Sequence, residues 1–144
     1  MEYQNLIDNA LKVRKFAYVP YSKFYVGASL LTTDGKVFDG CNIENASYSL
    51  TMCAERTAIF KAISNGYKDF SAIAVVGGFD LESVSEYCYP CGACIQVMTE
   101  FCKPEFKIVL YNGKSVKIHT LNKLFPNTFT NLTWKLLDIS IFLC

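Results

Sequence analysis

Three cysteines and one glutamate, held in two short segments, carry the chemistry this sequence offers: Thr51-Met52-Cys53-Ala54-Glu55-Arg56 and Pro90-Cys91-Gly92-Ala93-Cys94. Thiolates are soft ligands, and three on one ion compose a catalytic zinc site whose fourth tetrahedral position is left to water. The metal makes that water acidic near neutral pH, and Glu55, two residues after Cys53, is placed to carry its proton. In isolation Glu55 would be a first-turn glutamate that merely complements a helix dipole. The flanking Cys53 and the matching Pro-Cys-x-x-Cys decide for chemistry.

A divalent ion with three thiolates keeps a net negative charge, so the site needs positive compensation. Two helix N-termini would supply part of it. Arg56, directly after Glu55, would donate hydrogen bonds to the thiolate sulfurs, a stronger reading than that of an ordinary surface helix arginine. The one histidine, His119, falls in a predicted strand and reads as structural or exposed. A rival site, Cys88-x-x-Cys91-x-x-Cys94 with Cys53, would close a structural four-thiolate centre, but a helix starting at Pro90 leaves Cys88 outside it, as a loop or core residue. An iron–sulfur run would want cysteine and proline where Met98 and Thr99 stand.

The elements that must position these residues follow from periodicity. Residues 2–17 carry Leu6, Ala10, Val13 and Ala17 at helical spacing, and Pro20 ends that helix. Strands are predicted over 24–31 and 37–41, joined by a turn at Gly35. Residues 52–65 read as a helix in which Ala54, Ala58 and Ala62 allow close approach to a sheet, with Cys53 and Glu55 in its first turn. A buried strand at 71–76, a polar connection over 79–89, a helix from Pro90 to about residue 101, strands at 107–111 and 116–120, and a helical turn at 121–125 complete the order. This is an α/β chain, with about five strands in a mixed sheet and helices packed on it. The two ligand-bearing helix starts can then converge at one end of the sheet.

With 144 residues, 51% apolar and 19% charged, the chain reads as one domain, 1–144. A formal net charge of +1 argues against nucleic acid and for a small-molecule partner. No basic start leads into an apolar run, no stretch is long enough to span a bilayer, and seven cysteines read better as ligands and core residues than as disulfides, so the expected location is the cytoplasm, without a membrane anchor.

Cys-x-Glu followed by Pro-Cys-x-x-Cys is the ligand order of zinc deaminases. From about residue 19 to 129 the chain resembles the small homotetrameric cytidine deaminases. The match lies in Pro20-Tyr21-Ser22-Lys23-Phe24-Tyr25-Val26-Gly27-Ala28, in Gly40-Cys41-Asn42-Ile43-Glu44-Asn45-Ala46-Ser47-Tyr48, in Cys53-Ala54-Glu55-Arg56 and in Pro90-Cys91-Gly92-Ala93-Cys94. The resemblance implies a three-layer α/β/α fold and hydrolysis of cytidine and 2′-deoxycytidine to uridine and 2′-deoxyuridine with release of ammonia, a reaction of pyrimidine salvage. It implies one zinc per chain on Cys53, Cys91 and Cys94, with Glu55 as proton shuttle. It further implies Asn42 and Glu44 on the ribose hydroxyls, Phe24 against the pyrimidine, a backbone group of Ala54 on the base, and Tyr48 at the substrate site. Phe129 is the candidate that reaches a neighbouring subunit's site, although Phe125 replaces the family's leucine in the segment before it. The apolar tail, 130–144, has no assigned role; a terminal helix is one reading of it.

Overall fold

The computed structural model describes residues 2–130; the tail from 131 onward lies outside the described residues. Five strands form one mixed sheet in the order β2-β1-β3-β4-β5. They are β1 (Tyr25–Thr32), β2 (Val37–Cys41), β3 (Phe70–Gly78), β4 (Lys107–Tyr111) and β5 (Val116–Thr120). Every neighbouring pair is antiparallel except β3 with β4. That parallel pair requires a crossover, and the helix α3 (Gly92–Phe101) makes it.

Alternation along β3 sorts the layers. Ala72, Ala74 and Val76 join Leu6, Ile7 and Ala10 of α1 (Gln4–Val13) on one face, while Ile73 and Val75 meet α2 (Ala54–Ser64) and α3 on the other. The result is the three-layer α/β/α arrangement. On the second face Ala54, Ala58, Ile59 and Ala62 of α2 are fully buried with Cys94 and Met98 of α3. Small residues bring α2 close: a Cβ at Gly40 of β2 would stand 2.5 Å from the Ala58 nitrogen and 2.6 Å from the Ala54 oxygen. Gly40 is therefore a contact glycine, and α2 lies directly on the strand.

Several boundaries differ from the sequence expectation. The first helix stops at Val13 and tightens into a 3₁₀ turn, Arg14–Phe16, because the chain must turn to pair with the 42–44 segment. There the Tyr18 nitrogen donates to the Asn42 oxygen at 3.0 Å and the Glu44 nitrogen to the Tyr18 oxygen at 2.8 Å. Helix α2 begins at Ala54, which makes Cys53 its cap rather than a first-turn residue. Helix α3 begins at Gly92 with Cys91 as its cap, so Pro90 precedes the cap instead of opening the helix. The last turn, α4, is Leu121–Leu124. The 79–89 connection contains no helix or strand, but it is less polar in its packing than its composition suggests, since Val84 joins the α1 layer and Tyr87 and Cys88 the other. No helix among the described residues is long and apolar enough to cross a membrane.

Candidate metal centre and substrate pocket

Two helix starts meet at this site. Cys53 and Cys91 hold extended cap conformations (ψ 154 and ψ 165), and neither cap carries a side-chain hydrogen bond to its helix. The sulfur at each cap is thus free to face the other helix. The ligating atoms of Cys53, Cys91 and Cys94 all lie within 4.8 Å of one another, with the Cys53 and Cys91 sulfurs 3.8 Å apart. Zn–S bonds of about 2.3 Å in a tetrahedron place sulfurs roughly 3.8 Å apart, so the cluster fits zinc. Among the described residues Cys88 is not part of it. Burial pushes the Cys88 thiol up to about 12, and its sulfur lies against Gly77 of β3; the geometry therefore favours three thiolates over four.

Electrostatics around the sulfurs follow from their neighbours. A hydrogen bond from the Cys94 thiol, opposed by burial and helped by Arg56, brings Cys53 down to about 5. The same bond pushes the Cys94 thiol up. Arg56 donates from Nη2 to the Cys53 sulfur at 3.2 Å, so the arginine does face the cluster; its Nε is buried without a partner among the described residues.

Glu55 is only 4% exposed, in the first turn of α2. Burial raises its carboxyl to about 7; the nearby Cys53 sulfur adds to the rise, while its own backbone N–H and the Cys94 thiol oppose it. A carboxyl in that range takes and returns a proton at neutral pH.

Of the other residues that the sequence singled out, Phe24, Asn42 and Glu44 lie in the segments next to the ends of β1 and β2. Gly77, near the C-terminal end of β3, lies under both Cys88 and Phe24: a Cβ there would stand 2.7 Å from the Cys88 sulfur and 2.9 Å from Phe24 Cε1. Phe24 is half-buried, and Asn42 fixes its backbone, donating from Nδ2 to the Phe24 oxygen at 2.9 Å while Oδ1 accepts from the Val26 nitrogen at 2.9 Å. Glu44, 6% exposed, accepts from the Tyr21 nitrogen at 2.9 Å and the Ser22 nitrogen at 3.3 Å. Burial would raise this carboxyl, yet the Ser22 and Tyr21 hydrogen bonds and nearby Lys23 hold it below its ordinary value. Lys23 itself adopts φ +56, a left-handed turn immediately before Phe24 and the start of β1. Tyr48 is largely exposed and its ring lies 5.8 Å from that of Tyr21. Ala54 is buried at the start of α2, and Phe129 is half-exposed, its carbonyl accepting from Gln96 of α3. His119 sits on β5, its ring 5.9 Å from that of Tyr89.

Sequence reasoning passed over three groups. The Tyr21 and Ser22 amides that engage Glu44 leave no side-chain signal. Arg14, 1% exposed, donates to the carbonyls of Tyr25, Gly78 and Asp80, and Phe79 packs on Phe24; both draw on partners distant in sequence.

Three thiols gathered from two helix starts, with a buried glutamate and an arginine beside them, define a zinc-dependent deaminase centre on an α/β/α sheet. The family model described as the cytidine and deoxycytidylate deaminase zinc-binding region matches residues 1–110. The chain belongs to that family. A cytidine deaminase of Sporosarcina psychrophila is 50% identical over 131 residues, which cover 90% of this chain and 93% of that protein. The crystal structure of a cytidine deaminase from Burkholderia pseudomallei superposes with a TM-score of 0.81 at 49% identity, over 90% of this chain and 100% of that one. A blasticidin-S deaminase of Bacillus cereus is 33% identical over 112 residues, 76% of this chain and 79% of that protein.

Proposed function

We propose that the chain is a zinc-dependent hydrolase that converts cytidine and 2′-deoxycytidine to uridine and 2′-deoxyuridine with release of ammonia, serving pyrimidine salvage. The observation that carries this reading is the burial of Glu55, 4% exposed in the first turn of α2, next to the helix start that brings Cys53 together with Cys91 and Cys94. Those sulfurs would hold one zinc per chain. When bound, zinc supplies a Lewis acid that makes water a nucleophile near neutral pH.

Glu55 takes a proton from the attacking water and gives it to the ring nitrogen, then takes the remaining proton from the hydroxyl added to the ring carbon and gives it to the amine, which leaves as ammonia while the carbonyl forms. Arg56 keeps the Cys53 sulfur charged by donating to it. Phe24 lies against the pyrimidine, and a backbone N–H in the first turn of α2, at Ala54, faces the base because helix starts leave their amides unpaired. After its two backbone contacts Asn42 retains one amide hydrogen and one lone pair, and Glu44 retains acceptor capacity, so both can engage sugar hydroxyls. Tyr48 borders this sugar side through Tyr21. Phe129 completes a neighbour's site in a homotetramer, and one domain spans the chain. Among the described residues the cysteines are free, which fits a reducing cytoplasm. The near-neutral charge supports a free nucleoside over nucleic acid.

The test follows the ultraviolet absorbance of cytidine and deoxycytidine with purified, zinc-replete protein. Loss of the cytosine band with release of ammonia is expected. Unchanged spectra at one zinc per chain would overturn the assignment; turnover of blasticidin S instead would move the chain to the antibiotic deaminases.

A further inference from the structure

Between β3 and α3, residues 79–91 cross the end of the sheet as a strap with several anchors. Arg14 Nη2 donates to the Asp80 oxygen at 2.6 Å, and the Asp80 carboxylate accepts from the Glu82 nitrogen at 2.9 Å and the Ser83 hydroxyl at 2.8 Å. Further along, Val84 lies so close to Gly113 that a Cβ there would stand 2.2 Å from the Val84 oxygen. Tyr87 pairs its hydroxyl with that of Ser115 under Lys117, whose Nζ is 4.2 Å from the ring. A strap pinned in this way holds its first residue in a fixed place.

That residue is Phe79, which is 74% exposed and so adds little to the core. Its ring meets Phe24 edge-on, with centroids 4.8 Å apart and planes at 73°. Phe24 has its backbone fixed by Ser22 and Asn42, and one edge of its ring rests over Gly77. Both rings border a cavity of about 170 Å³ whose lining includes Gly77, Gly78, Asp80 and Val84. Removing the Phe79 ring would widen this space and take away the edge-to-face contact that Phe24 makes across it.

We propose that Phe79 is a positioning residue: it holds the Phe24 ring in the orientation that meets the pyrimidine, and the strap exists in part to present it. This rests on Phe24 being the pyrimidine contact. An edge-to-face pair of this kind corresponds to an effect of about threefold to tenfold.

The test is a double-mutant cycle on cytidine turnover with Phe79→Ala, Phe24→Leu and both together, with zinc content and subunit assembly recorded for each. Expected are a KM raised about threefold to tenfold in Phe79→Ala at nearly unchanged kcat, recovery in Phe79→Tyr, and a double variant little worse than Phe24→Leu. Multiplying effects would mean that Phe79 acts independently of Phe24 and would overturn the proposal, as would an unchanged KM or a change in assembly alone. Aromatic ¹³C relaxation of the Phe24 ring, measured without nucleoside, gives a second readout. Faster ring flipping in Phe79→Ala is expected, and unaltered flipping overturns the proposal whatever the substrate. If the ring loosens but the parent turns over neither nucleoside, the positioning contact stands and the functional assignment falls.

Discussion

Glu55 and Arg56 are adjacent in sequence yet do opposite electrostatic work: burial drives the glutamate toward neutrality, while the arginine favours negative charge on sulfur. Their replacement should therefore separate chemistry from metal binding. Glu55→Ala is expected to keep one zinc per chain and lose turnover by about 10² to 10⁴, read from the cytidine assay beside a zinc determination. Arg56→Gln should retain metal but lower turnover by roughly tenfold, because the Cys53 sulfur loses its 3.2 Å donor. Arg56 was legible because its partner Cys53 lies three positions away, and Glu55 because Cys53 and the distant Pro90-Cys91-x-x-Cys94 form a recognisable ligand pattern around it. Arg14 was not: its carbonyl partner at Asp80 lies 66 positions away, and a basic residue at the end of an amphipathic helix gives no hint that it is buried.

At the scale of elements, the sequence pattern located the four α-helices and five strands of the described residues but not the 3₁₀ turn Tyr48–Leu50, and β2, β4 and β5 begin and end where periodicity put them. The starts of α2 and α3 moved because cysteine is not a usual cap residue. Its place at the cap reflects a sulfur kept for metal. Close packing of α2 on β2 yields one prediction. Gly40→Ala should force α2 outward, costing about 1–3 kcal/mol in urea unfolding and weakening zinc retention against a chelator, since the cap Cys53 moves with the helix. The turn before β1 gives another. The Glu44 carboxyl is held below its ordinary value of 4.5, so its contribution to stability is present above that value and is lost as pH falls through the depressed one. Melting curves taken from about pH 7 down to about pH 3 should show a flatter acid limb in Glu44→Gln than in the parent.

For the whole molecule, the alternation of helices and strands pointed to a mixed α/β sheet, but strand order and the single parallel pair were out of reach. They depend on pairings such as Ala28 with Val75, which no local pattern encodes. The metal cluster joins the starts of two helices across 38 positions of chain. Removing zinc should therefore lower the melting temperature by about 5–10 °C at a hundredfold excess of metal over its dissociation constant, measured by calorimetry with and without chelator. The layout also fixes when that clasp can close during synthesis. By Gly78 the chain has made α1, β1, β2, α2 and β3, enough to cover both faces of a three-stranded sheet with Cys53 already in place. Cys91 and Cys94 come only afterwards and β4 and β5 later still, so the three thiols can first meet when three of the five strands have been made and two have yet to be added.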